Sequence, residues 1–412
     1  MSTRSTRTAR AHAHPTAALG SSESLAQLVG LARASGRLAL DTEFMGEGRY
    51  RTLLCLVQLA VPEPALPSAT PDRSATAERI ELIDPLREDL DAAPLVEVLA
   101  DPAVEIVVHA GRQDVALLRR RFQSEVRNVF DTQLAAGFAG MAAQSSYESL
   151  LARLLDVRLA KSASFTRWDA RPLSPEQLGY AREDVVHLLA LADELQWRLR
   201  ERGRLQWARE ECRALEQASD ARDLDTVFSR LPRIRALNAA AQSVARELVQ
   251  WREQAAAAGD RPVQSVLGDA VLVEIAKRKP SSARQLEELR GAGSVRRRAD
   301  AVLEAVQRGL RRSHEPLASD TRPPTPDPAD APLIALGEAL VRARAREADL
   351  AYELIAARAD LQAIVAAHRL GLAPAPVRTL QGWRRELVGA ELLELLDGRV
   401  SLSVADGCLR IY

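Results

Sequence analysis

Four short apolar runs, separated by stretches with a helical rhythm, organise the first half of the chain. "RLALDTEF" (37–44), "LLCLVQLAV" (53–61), "RIELIDPL" (79–86) and "VEIVVHA" (104–110) have the length and composition of strands. Elsewhere apolar positions recur every three to four residues, over 91–100, 112–122 and a longer run from Pro175 to Arg200. Strands alternating with helices predict an α/β domain around one mixed sheet, covering residues 22–215. The Pro-, Ala- and Ser-rich segment 61–79 joins two of the strands and reads as an extended surface loop.

After residue 222 the strand signal stops and helical periodicity takes over, as in "IRALNAAAQSVARELVQWREQAAAA". The segment "SHEPLASDTRPPTPDPADAP" (313–332) is too proline-rich for a helix or a central strand. It predicts a linker between two small all-helical blocks, 226–312 and 333–405. Asp406-Gly407 suits the turn of a small hairpin, with 406–412 otherwise a C-terminal tail. Residues 1–21 are rich in Arg, Ser and Thr and have no apolar core of a secretory signal, which predicts a disordered tail.

Composition narrows the function classes. The 56 basic and 56 acidic residues cancel, so this is not the basic coat of a bulk nucleic-acid binder, and any polyanion site must be local. The three cysteines, Cys55, Cys212 and Cys408, are too widely spaced for a disulfide framework or a CxxC zinc pattern, which fits a reducing cytoplasm. No apolar run approaches membrane-spanning length. The chain contains no Gly-Lys dipeptide, which excludes a P-loop, a nucleotide cofactor held by one, and helicase activity.

The chemistry concentrates in carboxylates. Asp41 and Glu43 follow a buried run and sit two apart, so on a strand they share one face. Like charges there repel and resist desolvation, unless a cation lies between them. Asp114 follows another apolar run at the start of a helix, and Tyr180 and Asp184 stand four apart on one helical face. Each feature alone is ordinary: a solvated strand end, an N-cap, a surface pair. Four carboxylates meeting in one place would suit a pair of hard divalent cations, Mg²⁺ or Mn²⁺, and displacement at phosphorus.

In this order the boxes "DTEF", "HAGRQD" and "YARED" resemble those of the DEDD 3′→5′ exonucleases, whose catalytic domain has a ribonuclease-H-like fold. With Tyr180 four residues before Asp184 and Gly179 before it, the third box looks like the tyrosine subclass. "DTQLAAGFAG" and "KSASFTRWDARPLSPEQLGYAREDV" extend the likeness. "LVQWREQAAAAGDRPVQSVLGDAVLVEIAKRKP" and "LQGWRRELVG" in the helical blocks resemble HRDC domains. An exonuclease domain with two such modules is similar to the ribonuclease D family.

The resemblance implies that Asp41, Glu43, Asp114 and Asp184 hold two divalent cations and that Tyr180 positions or helps deprotonate the attacking water. It implies removal of nucleoside 5′-monophosphates from RNA with a single-stranded 3′ end, in the manner of tRNA precursors. Thr42 and Phe44 would lie beside the terminal nucleotide. His109 is a substrate or carboxylate-tuning candidate, weighed against packing. Lys161, Arg167 and Arg171, and the basic clusters of the helical blocks, are candidates for phosphate contact. Gln113, where an acid is common, and the long 61–79 segment depart from the pattern. A repair-associated DNA exonuclease and a non-catalytic RNA-binding scaffold are the competing readings.

Overall fold

The computed structural model describes residues 19–63, 78–159, 167–312 and 327–412. Most of the N-terminal tail, the 61–79 loop and the proline-rich linker, together with Lys161, fall outside the described residues.

The first domain holds strands β1 (Arg37–Met45), β2 (Leu53–Pro62), β3 (Glu78–Ile83), β4 (Glu105–Val108) and β5 (Val129–Asp131). They form one sheet in the order β3-β2-β1-β4-β5. β1, β2 and β3 are antiparallel, while β1, β4 and β5 run parallel, so the sheet is mixed as expected. β5 was not among the strands expected: three residues are too few to display a period. Helices α1 (Ser22–Ser35), α2 (Ala93–Ala100) and α3 (Arg112–Phe122) cover the face carrying Leu38, Leu40, Leu59 and Val108.

The opposite face carries Ala39, Ala60, Val107 and Phe130. It is covered by α4 (Thr132–Phe138), α5 (Tyr147–Leu154) and, after α6 (Pro175–Glu183), by α7 (Leu188–Glu201), with α8 (Leu205–Arg213) beside them. The run expected as one helix from Pro175 to Arg200 is therefore two. Backbone bonds shorten to three-residue steps, from Val185 to Arg182 and from Leu188 to Val185, and the chain turns between α6 and α7. Asp184 lies at that break.

The first helical block, around helices Ala239–Ala258, Asp269–Arg278 and Ala299–Arg311, closes its own core with Phe228, Leu248, Trp251, Leu272 and Val302. The second behaves differently: Ile334, Leu340, Ile355, Ile364, Trp383 and Leu392 belong to the same apolar core as the sheet face over α4 and α7. Its first long helix, Ala331–Glu347, begins inside the stretch expected as linker, with Pro332 tolerated in the first turn. Leu402–Ala405 and Cys408–Ile411 pair as a hairpin across Asp406-Gly407, so most of the expected tail is strand. At the other end Gly20 donates its N–H to the Leu82 carbonyl at 2.8 Å, docking the last residues of the expected N-terminal tail on β3. Among the described residues no helix is long and apolar enough to cross a membrane.

Candidate active site

Asp41 and Glu43 reach the same face from the end of β1, as the strand's alternation requires. Beside them the β1–β2 register slips between Glu43 and Phe44, with Cys55 the extra residue on β2. Such a bulge re-aims side chains at a sheet margin. Asp184 comes from the end of α6, whose start is fixed by a capping box between Ser174 and Gln177 with Pro175 in the first turn. The carboxylate oxygens offered by Asp41, Glu43 and Asp184 all lie within 4.8 Å of one another.

Asp114 enters from α3 and stands just outside that group. It is 6% exposed and accepts a short hydrogen bond from the Thr42 hydroxyl. The turn before it is tightly set. Ala110 adopts a left-handed conformation, and a Cβ on Gly111 would meet Val108 Cγ2 at 2.5 Å, so only glycine fits there. Asp131, at the end of β5, accepts the N–H groups of Ala110 and Gly111 at 3.1 and 2.9 Å while also capping α4. Asp131 thus holds the loop that aims Asp114.

The electrostatics match a pocket of unpaired acids. Burial, with the charges of Asp114, Asp184 and Glu43, holds Asp41 well above the carboxylate range. Burial and the charges of Asp184 and Asp114 push Glu43 up to about 8. Burial lifts Asp184 to about 7 and Asp114 to about 6, although hydrogen bonds from Tyr180 and Thr42 oppose it. The Tyr180 hydroxyl is raised by burial and by Asp184, Glu43 and Asp41, and it is hydrogen-bonded to Asp184. Its ring lies 6.1 Å from that of Trp168. All the donors are oxygens, with no cysteine or histidine in the cluster, which fits a hard divalent cation.

The remaining sequence candidates divide. Phe44, at the end of β1, is 39% exposed instead of joining the core. Thr42 is buried on the other sheet face, where its hydroxyl donates to Asp114. His109 sits with Nδ1 3.0 Å from the Thr132 hydroxyl and its ring 5.6 Å from Tyr147, and burial lowers its pKa. Those contacts give it a packing role. Arg171 is consumed by Asp84, to which Nε and Nη2 each donate at 2.6 Å, and by the Cys55 and Trp168 carbonyls. It anchors the loop bearing Trp168 and has no reach left for phosphate; Arg167 pairs with Asp169.

Sequence reasoning did not single out the roles of Asp131 and Trp168. An aspartate directly after "NVF" and before a helix is an N-cap signal that would have flagged Asp131. Nothing local marks Trp168.

The family described as 3′–5′ exonuclease matches residues 18–200, and HRDC domain matches 241–306. Ribonuclease D of Granulibacter bethesdensis is 36% identical over 390 residues, covering 93% of this chain and 93% of that protein. Ribonuclease D of Gluconacetobacter diazotrophicus is 35% identical with the same coverage of each. Among solved structures, Escherichia coli RNase D, described as an exoribonuclease involved in structured RNA processing, superposes with a TM-score of 0.77 at 26% identity. That match spans 92% of this chain and 98% of the other. With fold, catalytic domain and nearly the whole length accounted for by these relatives, the chain belongs to the ribonuclease D family of 3′–5′ exoribonucleases.

Proposed function

We propose that Asp41, Glu43, Asp114 and Asp184 hold two divalent cations, Mg²⁺ or Mn²⁺, and that the protein trims single-stranded 3′ ends of structured RNA such as tRNA precursors. One observation carries the reading: three carboxylates with oxygens within 4.8 Å of one another, and the Tyr180 hydroxyl bonded to one of them. That arrangement is unfavourable in isolation and favourable around cations. Bound cations would supply Lewis acidity toward water and the scissile phosphate.

The chain's own side chains divide the remaining work. Asp41, Glu43 and Asp184 would hold one cation, and Asp41 with Asp114, directly or through water, would hold the other. Tyr180, hydrogen-bonded to Asp184, would position the attacking water or help deprotonate it. Attack on the last phosphodiester releases a nucleoside 5′-monophosphate. Phe44 offers an apolar surface to the terminal base, and the helical blocks, HRDC-type at 226–312 and HRDC-like at 333–405, hold the body of the RNA. Three unpaired cysteines, two of them buried, suit a cytoplasmic setting.

The test is digestion of a tRNA precursor with a 3′ extension by chelator-treated protein, with and without added Mn²⁺ or Mg²⁺. Stepwise shortening with 5′-monophosphate products, only when the cation is present, is expected. Internal cleavage, or faster digestion of a matched DNA tail, would overturn the assignment.

A further inference from the structure

Strand β2 is a run of buried apolar side chains interrupted once, by Gln58. Gln58 is 0% exposed, and neither its amide nitrogen nor its amide oxygen has a hydrogen-bond partner. A carboxamide that has lost water at both ends and gained nothing is destabilising. Leucine has a similar volume and matches the neighbours Val57 and Leu59, so packing alone does not explain a glutamine here. An orphaned buried amide therefore calls for a role outside folding.

The strand register supplies one. Asp41 lies directly opposite Gln58 across the antiparallel β1–β2 pair. Directly opposed residues share a face, with Cβ atoms about 4.5–5.5 Å apart, well inside the reach of a glutamine amide. On the other side Gln58 is opposed by Leu82 of β3, which offers no polar group. The flanking pairs on this face are Ala39 with Ala60 and Glu43 with Leu56. On β1 the polar neighbours of Gln58 in register are thus Asp41 and, diagonally, Glu43, while Asp84, which follows β3, is already paired with Arg171.

We propose that Gln58 is a positioning residue for Asp41, its amide N–H donating to an Asp41 carboxylate oxygen when the pocket holds its cations. The proposal rests on the cation-site reading given above. A carboxylate serving two cations has its orientation fixed only if a further group holds it, and neighbours of this kind commonly tune metal ligands. A neutral amide does so without adding positive charge, whereas lysine or arginine at this position would compete with the cations.

The test compares full-length wild type with Gln58→Leu after chelator treatment, by calorimetric titration with Mn²⁺ and by thermal unfolding of the metal-free proteins. Gln58→Leu is expected to melt at the same temperature or higher, yet to bind Mn²⁺ about 10–100-fold more weakly. Its kcat should fall while KM for RNA holds, and Gln58→Asn, which keeps a shorter amide, should bind between the two. Should the leucine variant not fold, Gln58→Met is read the same way. Equal Mn²⁺ affinity in wild type and variant, or a loss of affinity only in step with lost stability, would overturn the positioning role alone. A wild type that binds no Mn²⁺ would overturn both this role and the cation site.

Discussion

Two sets of acids withdrawn from solvent are treated in opposite ways in this molecule. At the end of the sheet, Asp41, Glu43, Asp114 and Asp184 act on one another, no Arg or Lys is among the groups that shift them, and all four are pushed up. Where the second helical block meets α8, Glu211 is also partly buried, yet hydrogen bonds from Arg384 and Trp383 overcome that burial and hold it low. The Arg384 nitrogens lie 2.6 and 2.7 Å from its two oxygens, and Trp383 Nε1 donates at 3.1 Å. Trp383 itself stacks on Trp207 at 5.1 Å and meets Phe138 edge-on. Glu211 is given a cationic side chain, whereas the acids at the end of the sheet face one another, an arrangement that a divalent cation would relieve.

Removing one member from each set should separate these roles. The largest effect is expected from Asp184→Asn: 3′-end release should fall by about a thousandfold or more, the scale of losing one member of a catalytic constellation. Calorimetry of the metal-free variant should show no loss of melting temperature, because a repelled charge has gone. A variant that keeps its activity would break the contrast. Glu211→Ala reverses the pattern. It leaves Arg384 buried and unpaired, which costs about 3–5 kcal/mol in urea unfolding, while turnover of a short single-stranded RNA per folded molecule should hold.

The next effect is one of pH. Between about pH 4 and 8 the unfolded chain's carboxylates have ionised, while the folded pocket still retains protons on Asp114, Asp184 and Glu43. The native state then binds more protons, so the stability of the metal-free protein should fall as pH rises through this window and level off above it. Saturating Mn²⁺ should flatten that slope, and its affinity should strengthen with pH as protons leave. Melting curves at stepped pH check both.

The smallest effect belongs to the first helical block. It meets the β1–β2 turn through Arg49 with Asp260 at 2.7 Å and the Tyr50 hydroxyl donating to Glu253 at 3.0 Å. The Arg49 pair is partly solvated, so Arg49→Ala should change stability by less than about 1 kcal/mol, and less still in high salt.

Strand alternation made Asp41 and Glu43 legible as a pair, and i, i+4 spacing did the same for Tyr180 and Asp184. Both are local patterns, and both survive in the structure even though α6 and α7 separate at Asp184. What the sequence hid is long-range. Trp251-Arg252 and Trp383-Arg384 are the same dipeptide, the first inside the long helix Ala239–Ala258 and the second just before a π turn at Arg385–Gly389. Yet Arg252 turns inward to Asp269 and the Leu267 carbonyl, whereas Arg384 reaches into another domain. The dipeptide itself does not distinguish them: the partner of Arg252 is 17 residues away and that of Arg384 is 173. Arg171 misled for the same reason: a basic residue reads as a phosphate contact until Asp84 is seen beside it. The basic clusters were partly absorbed too, since Arg296 pairs with Glu287, Arg312 with Glu247 and Arg344 with Glu391.

Because the second helical block completes the apolar core over α4 and α7, covalent continuity is not what joins it to the catalytic half. Two pieces expressed from separate plasmids, divided between the helical blocks, should find each other and co-purify. Truncation at that point would strip Phe138 and Trp207 of their cover, leaving a sticky, aggregation-prone fragment in place of a smaller nuclease.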